Sequence, residues 1–214
     1  MPDLRRKYLP PLAALIVMSV VTGLSTAVES TEPASQGSYR LPFADGTTVK
    51  VFDDFVTHRP RGRIDLYAVG GKEEPYRVVA AADGVVMAIQ DSFDEQQSGR
   101  AAALCHNNFI WIAHPNGEWT NYSHVAHGSA TGKAGLKVGD KVKAGQYLGD
   151  EDAIGCAMLK HVHFEVAVPD PKDPIDAGGF LNDNTDGKRE RNPKFCGVSG
   201  NVVVKNAEYR AGPC

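Results

Sequence analysis

His161-Val-His-Phe-Glu-Val-Ala-Val168 is the stretch that decides the fold. Polar and apolar residues alternate along it, the period of a β-strand with one face in a core. Val162, Phe164 and Val166 point to one side, and His161, His163 and Glu165 to the other. Two rises of about 3.3 Å put the two histidines about 7 Å apart at the backbone. One imidazole can then bind a metal while its neighbour handles a proton. An H-x-H pair also fits a solvated strand face, so its meaning depends on the rest of the chain.

Outward from this strand the pattern stays β. FIWIAH (109–114) and EWTNYSHV (118–125) flank Pro115-Asn116-Gly117, a strong hairpin signal. YRVVAA (76–81) and VVMAI (85–89) flank Asp83-Gly84, which reads as a tight turn, TTVKVF (47–52) alternates, and KVGDKVKAGQYLG (137–149) is a turn-and-strand segment. No segment sustains a helical period, and 22 Gly and 13 Pro supply turns. The expectation is one antiparallel all-β domain with few helices and no internal repeat.

The 214 residues are 42% hydrophobic, enough for a core, and the net charge of −3 argues against a dedicated nucleic-acid binder. The N-terminus reads as an address. Arg5, Arg6 and Lys7 precede an uncharged run from Leu9 to Leu24, and Ser25-Thr26-Ala27 offers small residues for cleavage. A secretory signal peptide over 1–27 fits better than a membrane anchor, because the run is short for a span and contains Pro10-Pro11. Its removal takes three basic residues and Asp3, leaving 20 basic and 25 acidic residues, with no membrane attachment expected in the mature form. Residues 28–45 read as a polar linker, 46–169 as the domain and 170–214 as a Pro-, Asp- and Gly-rich tail pinned by cysteine. Export makes disulfides the expected state of Cys105, Cys156, Cys196 and Cys214. Three pairings are possible; Cys105–Cys156 with Cys196–Cys214 is favoured because it keeps the tail's two cysteines together.

Two more pieces could carry chemistry. In THRPRGRIDLYA (57–68), Asp65 and His58 are suitable zinc ligands, although each also fits a turn. In NYSHV (121–125), Tyr122 and His124 share a face, and His124 could act as an acid, a base or an oxyanion donor. His106, His114 and His127 lie beside turn residues and read as surface histidines.

Taken together, GRIDLYA, YRVVAAADGVVMAI, NFIWIAHPNGEWTNYSHV, GLKVGDKVKAGQYLG and HVHFEV resemble the lysostaphin-type, LytM-like zinc metallopeptidases that cut peptidoglycan cross-links. The resemblance covers roughly residues 50–168. It implies an antiparallel β-sheet groove of the duplicated-hybrid-motif type, with zinc held by His58, Asp65 and His163. It implies His161 as the residue that takes or orients the proton of the attacking water, and His124 as the stabiliser of charge on the scissile carbonyl. The implied partners are peptidoglycan peptide stems or cross-links, with a regulatory protein left open.

The sequence departs from the family pattern in two places. The usual His-x-x-x-Asp spacing would put Arg61 at the first ligand position, and an arginine cannot ligate zinc; His58 stands three residues further upstream. Leu159-Lys160 replaces the usual Gly-rich approach to the H-x-H pair. A non-catalytic relative that binds the wall or regulates another hydrolase is the main alternative. A lipoyl- or biotinyl-type carrier lacks its lysine in the Asp83-Gly84 turn, and a serine hydrolase lacks a G-x-S-x-G elbow.

Overall fold

The alternating segment forms a central strand of an eight-stranded sheet in a computed structural model that describes residues 33–70, 74–97, 99, 104–182 and 189–214. The signal-peptide reading of 1–27 lies outside those residues. The strands are β1 (Ala34–Tyr39), β2 (Thr48–Asp53), β3 (Arg63–Gly70), β4 (Arg77–Val79), β5 (Gly84–Gln90), β6 (Phe109–Ala113), β7 (Trp119–Ser123), β8 (Lys141–Val142), β9 (Tyr147–Asp150), β10 (Val162–Ala167), β11 (Asn192–Phe195) and β12 (Glu208–Arg210).

The main sheet runs β12-β2-β3-β10-β7-β6-β5-β8 with antiparallel neighbours throughout. β10 therefore has β3 on one side and β7 on the other. On its core face Phe164 meets Tyr122 and Phe195 at ring-centroid distances of 5.5 and 5.7 Å. Truncating such a buried ring to alanine costs about 3–5 kcal/mol. The opposite face of β10 is buried as well: His161, His163 and Glu165 are 8%, 3% and 0% exposed. The segment 175–181 covers it, with Leu181 and Ile175 joining Trp111 and Ala167 in a second apolar cluster.

β6 and β7 form the expected hairpin, closed by Gly117 at φ +83°. The Asp83-Gly84 turn is different. β4 pairs with β9 in a separate two-stranded sheet, whereas β5 pairs with β6 and β8 in the main one. Asp83-Gly84 is thus a corner between sheets rather than a hairpin, and a Cβ on Gly84 would press on the Ala113 carbonyl and the Ile112 side chain.

The linker reading of 28–45 is corrected over its described part. Ala34–Tyr39 pairs in parallel with Asn192–Phe195, unlike the other named strand pairs among the described residues, and Tyr39, Leu41 and Phe43 are core residues at 1%, 2% and 0% exposure. The buried Glu118 carboxylate accepts the Gln36 and Gly37 N–H groups and the Tyr39 hydroxyl at 2.7, 2.9 and 2.7 Å. Composition marks this segment as polar, yet residues 39–43 are all buried, Arg40 included. The tail is likewise built in: β12 extends the main sheet beyond β2, and disulfides join Cys105 to Cys156 and Cys196 to Cys214. Among the described residues no helix is long and apolar enough to cross a membrane.

Candidate metal centre

Strand register brings the chemistry together. His163 on β10 lies directly opposite Asp65 on β3, and Glu165 directly opposite Arg63. Ser123 of β7 pairs with His163 from the other side, so His124, the next residue, leaves the strand at the same level. His124 takes a φ of +68°, unusual for a non-glycine residue, and this turns the chain as the strand ends.

The excursion between β2 and β3 resolves the long spacing from His58 to Asp65. Asp53 pairs with Asp65, so residues 54–62 leave the sheet and return over the same point. Buried Phe55 anchors the loop, and its carbonyl accepts the Gly62 N–H at 3.1 Å. Asp54 organises the near side: its Oδ1 accepts the N–H groups of Val56 and Thr57, and its main-chain carbonyl accepts the His58 N–H. The result places His58 Nε2 3.4 Å from Asp65 Oδ2. Arg61 lies on the way through this loop, and His58 is the residue whose ring reaches the cluster.

All four site histidines share one arrangement. Each has a ring nitrogen held by a protein oxygen: His58 Nδ1 by the Pro60 carbonyl at 2.6 Å, His124 Nδ1 by Ile154 at 2.7 Å and His161 Nδ1 by Leu159 at 2.8 Å. His163 is anchored through the other nitrogen, Nε2 to Glu165 Oε1 at 3.0 Å. A carbonyl can only accept, so Nδ1 of His58, His124 and His161 donates there and Nε2 keeps its lone pair; His163 stands between two carboxylates, and donation from Nε2 to Glu165 leaves Nδ1 for a metal. Three of the remaining nitrogens converge on Asp65: beside His58 Nε2, His161 Nε2 is 3.4 Å and His163 Nδ1 3.1 Å from Oδ1. His58, Asp65 and His163 present ligand atoms within 4.8 Å of one another, as do His124, His161 and His163.

A carboxylate oxygen and an imidazole lone pair repel at such distances unless something positive lies between them. The chain's own protons supply part of this. The three histidines hold the Asp65 carboxyl well below the usual carboxylate range despite its burial. For His58 and His161, burial lowers the pKa, and the Asp65 carboxylate outweighs it and raises both. His124 goes the other way: burial, together with His161 and His163, pushes it well below the usual histidine range. Two nitrogens and a carboxylate around one point also form a zinc-type donor set, open on one side. The residues therefore fit a zinc ion.

The open side is a cleft of about 210 Å³ lined by the five site residues and by Phe52, Arg59, Pro60, Met158 and Phe180, among others. The Cys105–Cys156 disulfide forms part of its wall.

The structure thus gathers His58, Asp65, His124, His161 and His163 into one cluster. His106 and His127 are exposed as expected. His114 is not a surface residue: it is 7% exposed, with Nδ1 at 2.8 Å from the Asp83 carbonyl and Nε2 at 2.9 Å from Thr120 Oγ1. Sequence reasoning missed three contributors. Glu165 was placed on the correct face but given no role, Arg63 stands two residues before Asp65, and Phe180 comes from the tail, where no periodicity marks it.

A model of the family described as Peptidase family M23 matches residues 61–177. No curated protein matches the chain. Among solved structures, the chain is similar to pseudoalterin, an M23 metalloprotease from the deep sea, at 20% identity and a TM-score of 0.44, covering 62% of this chain and 71% of that one. It is similar to the catalytic domain of the prophage-encoded M23 protein EnpA of Enterococcus faecalis at 25% identity and a TM-score of 0.39, covering 63% of this chain and 85% of that one. The antimicrobial peptidase lysostaphin of Staphylococcus simulans is similar at 22% identity and a TM-score of 0.38, with 56% of this chain covering 42% of that one.

Proposed function

The chain belongs to peptidase family M23, and on that premise we propose that it is an exported, zinc-dependent endopeptidase that cleaves amide bonds in peptidoglycan peptide cross-links. The observation that carries this reading is the arrangement of His58, His161 and His163, each anchored through one nitrogen and offering the other beside the Asp65 carboxylate, with His124, anchored in the same way, against His161. A surface that merely binds the wall has no need of such an arrangement in a buried cluster. A relative that had abandoned catalysis would be expected to have lost part of it.

In this reading His58, Asp65 and His163 hold the zinc. When bound, the metal supplies Lewis acidity and a water of lowered pKa. The remaining steps belong to the chain. His161, oriented by the Leu159 carbonyl, takes a proton at Nε2. The Asp65 carboxylate, 3.4 Å away, stabilises the imidazolium that results. His124 has its Nδ1–H committed to Ile154, and burial keeps it neutral, so its Nε2 carries no proton at the outset. It therefore serves first as an acceptor and donates to the carbonyl oxygen or leaving amine only after receiving a proton, its ring centroid being 4.7 Å from that of His161. This refines the role that the family resemblance implies for His124.

Export is supported by the signal-like segment 1–27 and by two disulfides, which belong to oxidising compartments. The test is digestion of purified muropeptide dimers, with mass analysis of the products. Cleavage of an amide in the cross-link, abolished by a chelator and by His161→Ala, is expected. Cleavage that survives the chelator contradicts the reading, as does a zinc-loaded protein that cuts no cross-link peptide.

A further inference from the structure

The tail contributes to the metal centre through a turn whose last four residues, 178–181, lie beyond the residues matched by the family model, which end at 177. Asp176 builds the turn: its Oδ1 accepts the Gly178 and Phe180 N–H groups, both at 2.9 Å, and its own N–H donates to the Phe180 carbonyl at 2.9 Å. Three side chains from the sheet region clamp it. Asn107 Nδ2 donates to the Gly178 carbonyl at 2.8 Å, and Trp111 Nε1 and Asn121 Nδ2 donate to the Gly179 carbonyl, both at 2.9 Å. Gly179 has a φ of +86°, and a Cβ there would run into the Phe109 ring.

This clamping delivers two groups to His163. The Phe180 ring, 8% exposed, packs edge-on to the His163 ring with centroids 4.8 Å apart. The Leu181 N–H donates to Glu165 Oε2 at 3.2 Å, while Glu165 Oε1 accepts from His163 Nε2. Arg63 links the two, its Nε 2.9 Å from Glu165 Oε1 and its guanidinium carbon 5.0 Å from the Phe180 ring centre. The Arg63–Glu165 contact is an ion pair without the alignment of a hydrogen bond, so charge alone does not fix the carboxylate plane. The Leu181 amide holds the second carboxylate oxygen, and the Phe180 ring stands against the imidazole that the first oxygen anchors. Groups that orient a ligand imidazole in this way set its basicity and its aim.

Resting on the zinc-site reading above, we infer that the turn Asp176–Leu181 is a positioning element of the metal centre, acting on His163 through the Phe180 ring and through Glu165. The experiment uses the full chain with both disulfides formed. Zinc affinity is measured by competition with a chromogenic chelator, and ligand geometry by the visible spectrum of the cobalt(II)-substituted protein. Phe180→Ala is expected to weaken zinc binding roughly 10–100-fold and to alter the cobalt spectrum. Phe180→Tyr, which keeps the ring, should restore both. Asn121→Ala, which removes one donor to Gly179 and leaves Phe180 in place, should shift both readouts the same way by less, and it serves if Phe180→Ala does not fold. Zinc affinity within twofold of the parent and an unchanged cobalt spectrum in a folded variant would overturn the inference while leaving the proposed function standing. A parent protein that binds no zinc overturns both.

Discussion

Removing the Cys105–Cys156 disulfide separates stability from site geometry in one construction. The bridge closes a segment with a sequence separation of 51. In the chain-entropy account, opening a loop of that size costs about 4 kcal/mol of stability at 25 °C. The Cys196–Cys214 bridge, with a separation of 18, gives about 3 kcal/mol by the same relation. The two loops do not overlap, so their effects should add. For a domain of this size, 4 kcal/mol corresponds to roughly 8–16 °C in Tm. Function should separate them. Cys105 and Cys156 line the cleft, and the adjacent Ile154 carbonyl anchors His124, whereas Cys196 sits beside Tyr39, away from the cleft. The double variant Cys105→Ala/Cys156→Ala should therefore lose stability and also lower kcat/KM. Cys196→Ala/Cys214→Ala should lose nearly as much stability with kcat/KM little changed. The assay is equilibrium urea unfolding of metal-free protein, so that metal binding does not contribute, with free energies compared because the m-value should rise as the unfolded chain expands. A Cys105→Ala/Cys156→Ala protein within about 0.5 kcal/mol of the parent would refute the entropy argument, since every other contact of the loop is retained. Equal loss of kcat/KM in both double variants would refute the assignment of the first bridge to the cleft wall.

Three other outcomes follow from the same structure. Burial holds the His114 imidazole below the usual histidine range, so the unfolded chain takes up a proton below pH about 6.5 before the folded one does; its share of the stability falls as pH drops from 7 to 5, and the stability difference between the parent and His114→Gln, by chemical denaturation, should shrink over that range. Burial opposes ionisation of Asp54, but the N–H groups of Lys205 and Thr57 outweigh it and lower its pKa, so its contribution is present above pH about 4 and is lost as pH falls through the folded value. Asp54→Ala at pH 7 should cost about 1 kcal/mol, as lost capping groups do, and should weaken zinc binding by loosening the His58 loop, both read by calorimetric titration and melting. Chelation should lower the Tm of the zinc-loaded protein: at a free metal concentration 100-fold above Kd the linkage is about 2.7 kcal/mol, and a chelator-independent Tm, or a His163→Ala variant that still responds, would count against the ligand assignment.

Much of the site could be read in the sequence because its parts are local patterns. Alternation in HVHFEV put His161, His163 and Glu165 on one face, and Pro115-Asn116-Gly117 announced the β6–β7 hairpin that carries His124 to its place. Composition misled where burial depends on partners far along the chain. Residues 33–45 look like linker until Glu118, some 80 positions away, satisfies their N–H groups, and His114 looks exposed until Asp83 and Thr120 close around it. Asp83-Gly84 resembles a hairpin turn because a corner between two sheets uses the same residues.

Strand period, strand faces and the residue types suited to a zinc-type site are legible in the amino acids alone. Those follow from side-chain alternation and donor chemistry, which need only near neighbours. Tertiary structure alone decided that His58 reaches Asp65 across a loop longer than the usual spacing, because that depends on Asp53 pairing with Asp65 and on how residues 54–62 fold back. It alone decided that Phe180 and the Leu181 amide stand against His163 and Glu165. Their place is set by hydrogen bonds from Asn107, Trp111 and Asn121, contacts between residues distant in the chain that no local pattern encodes.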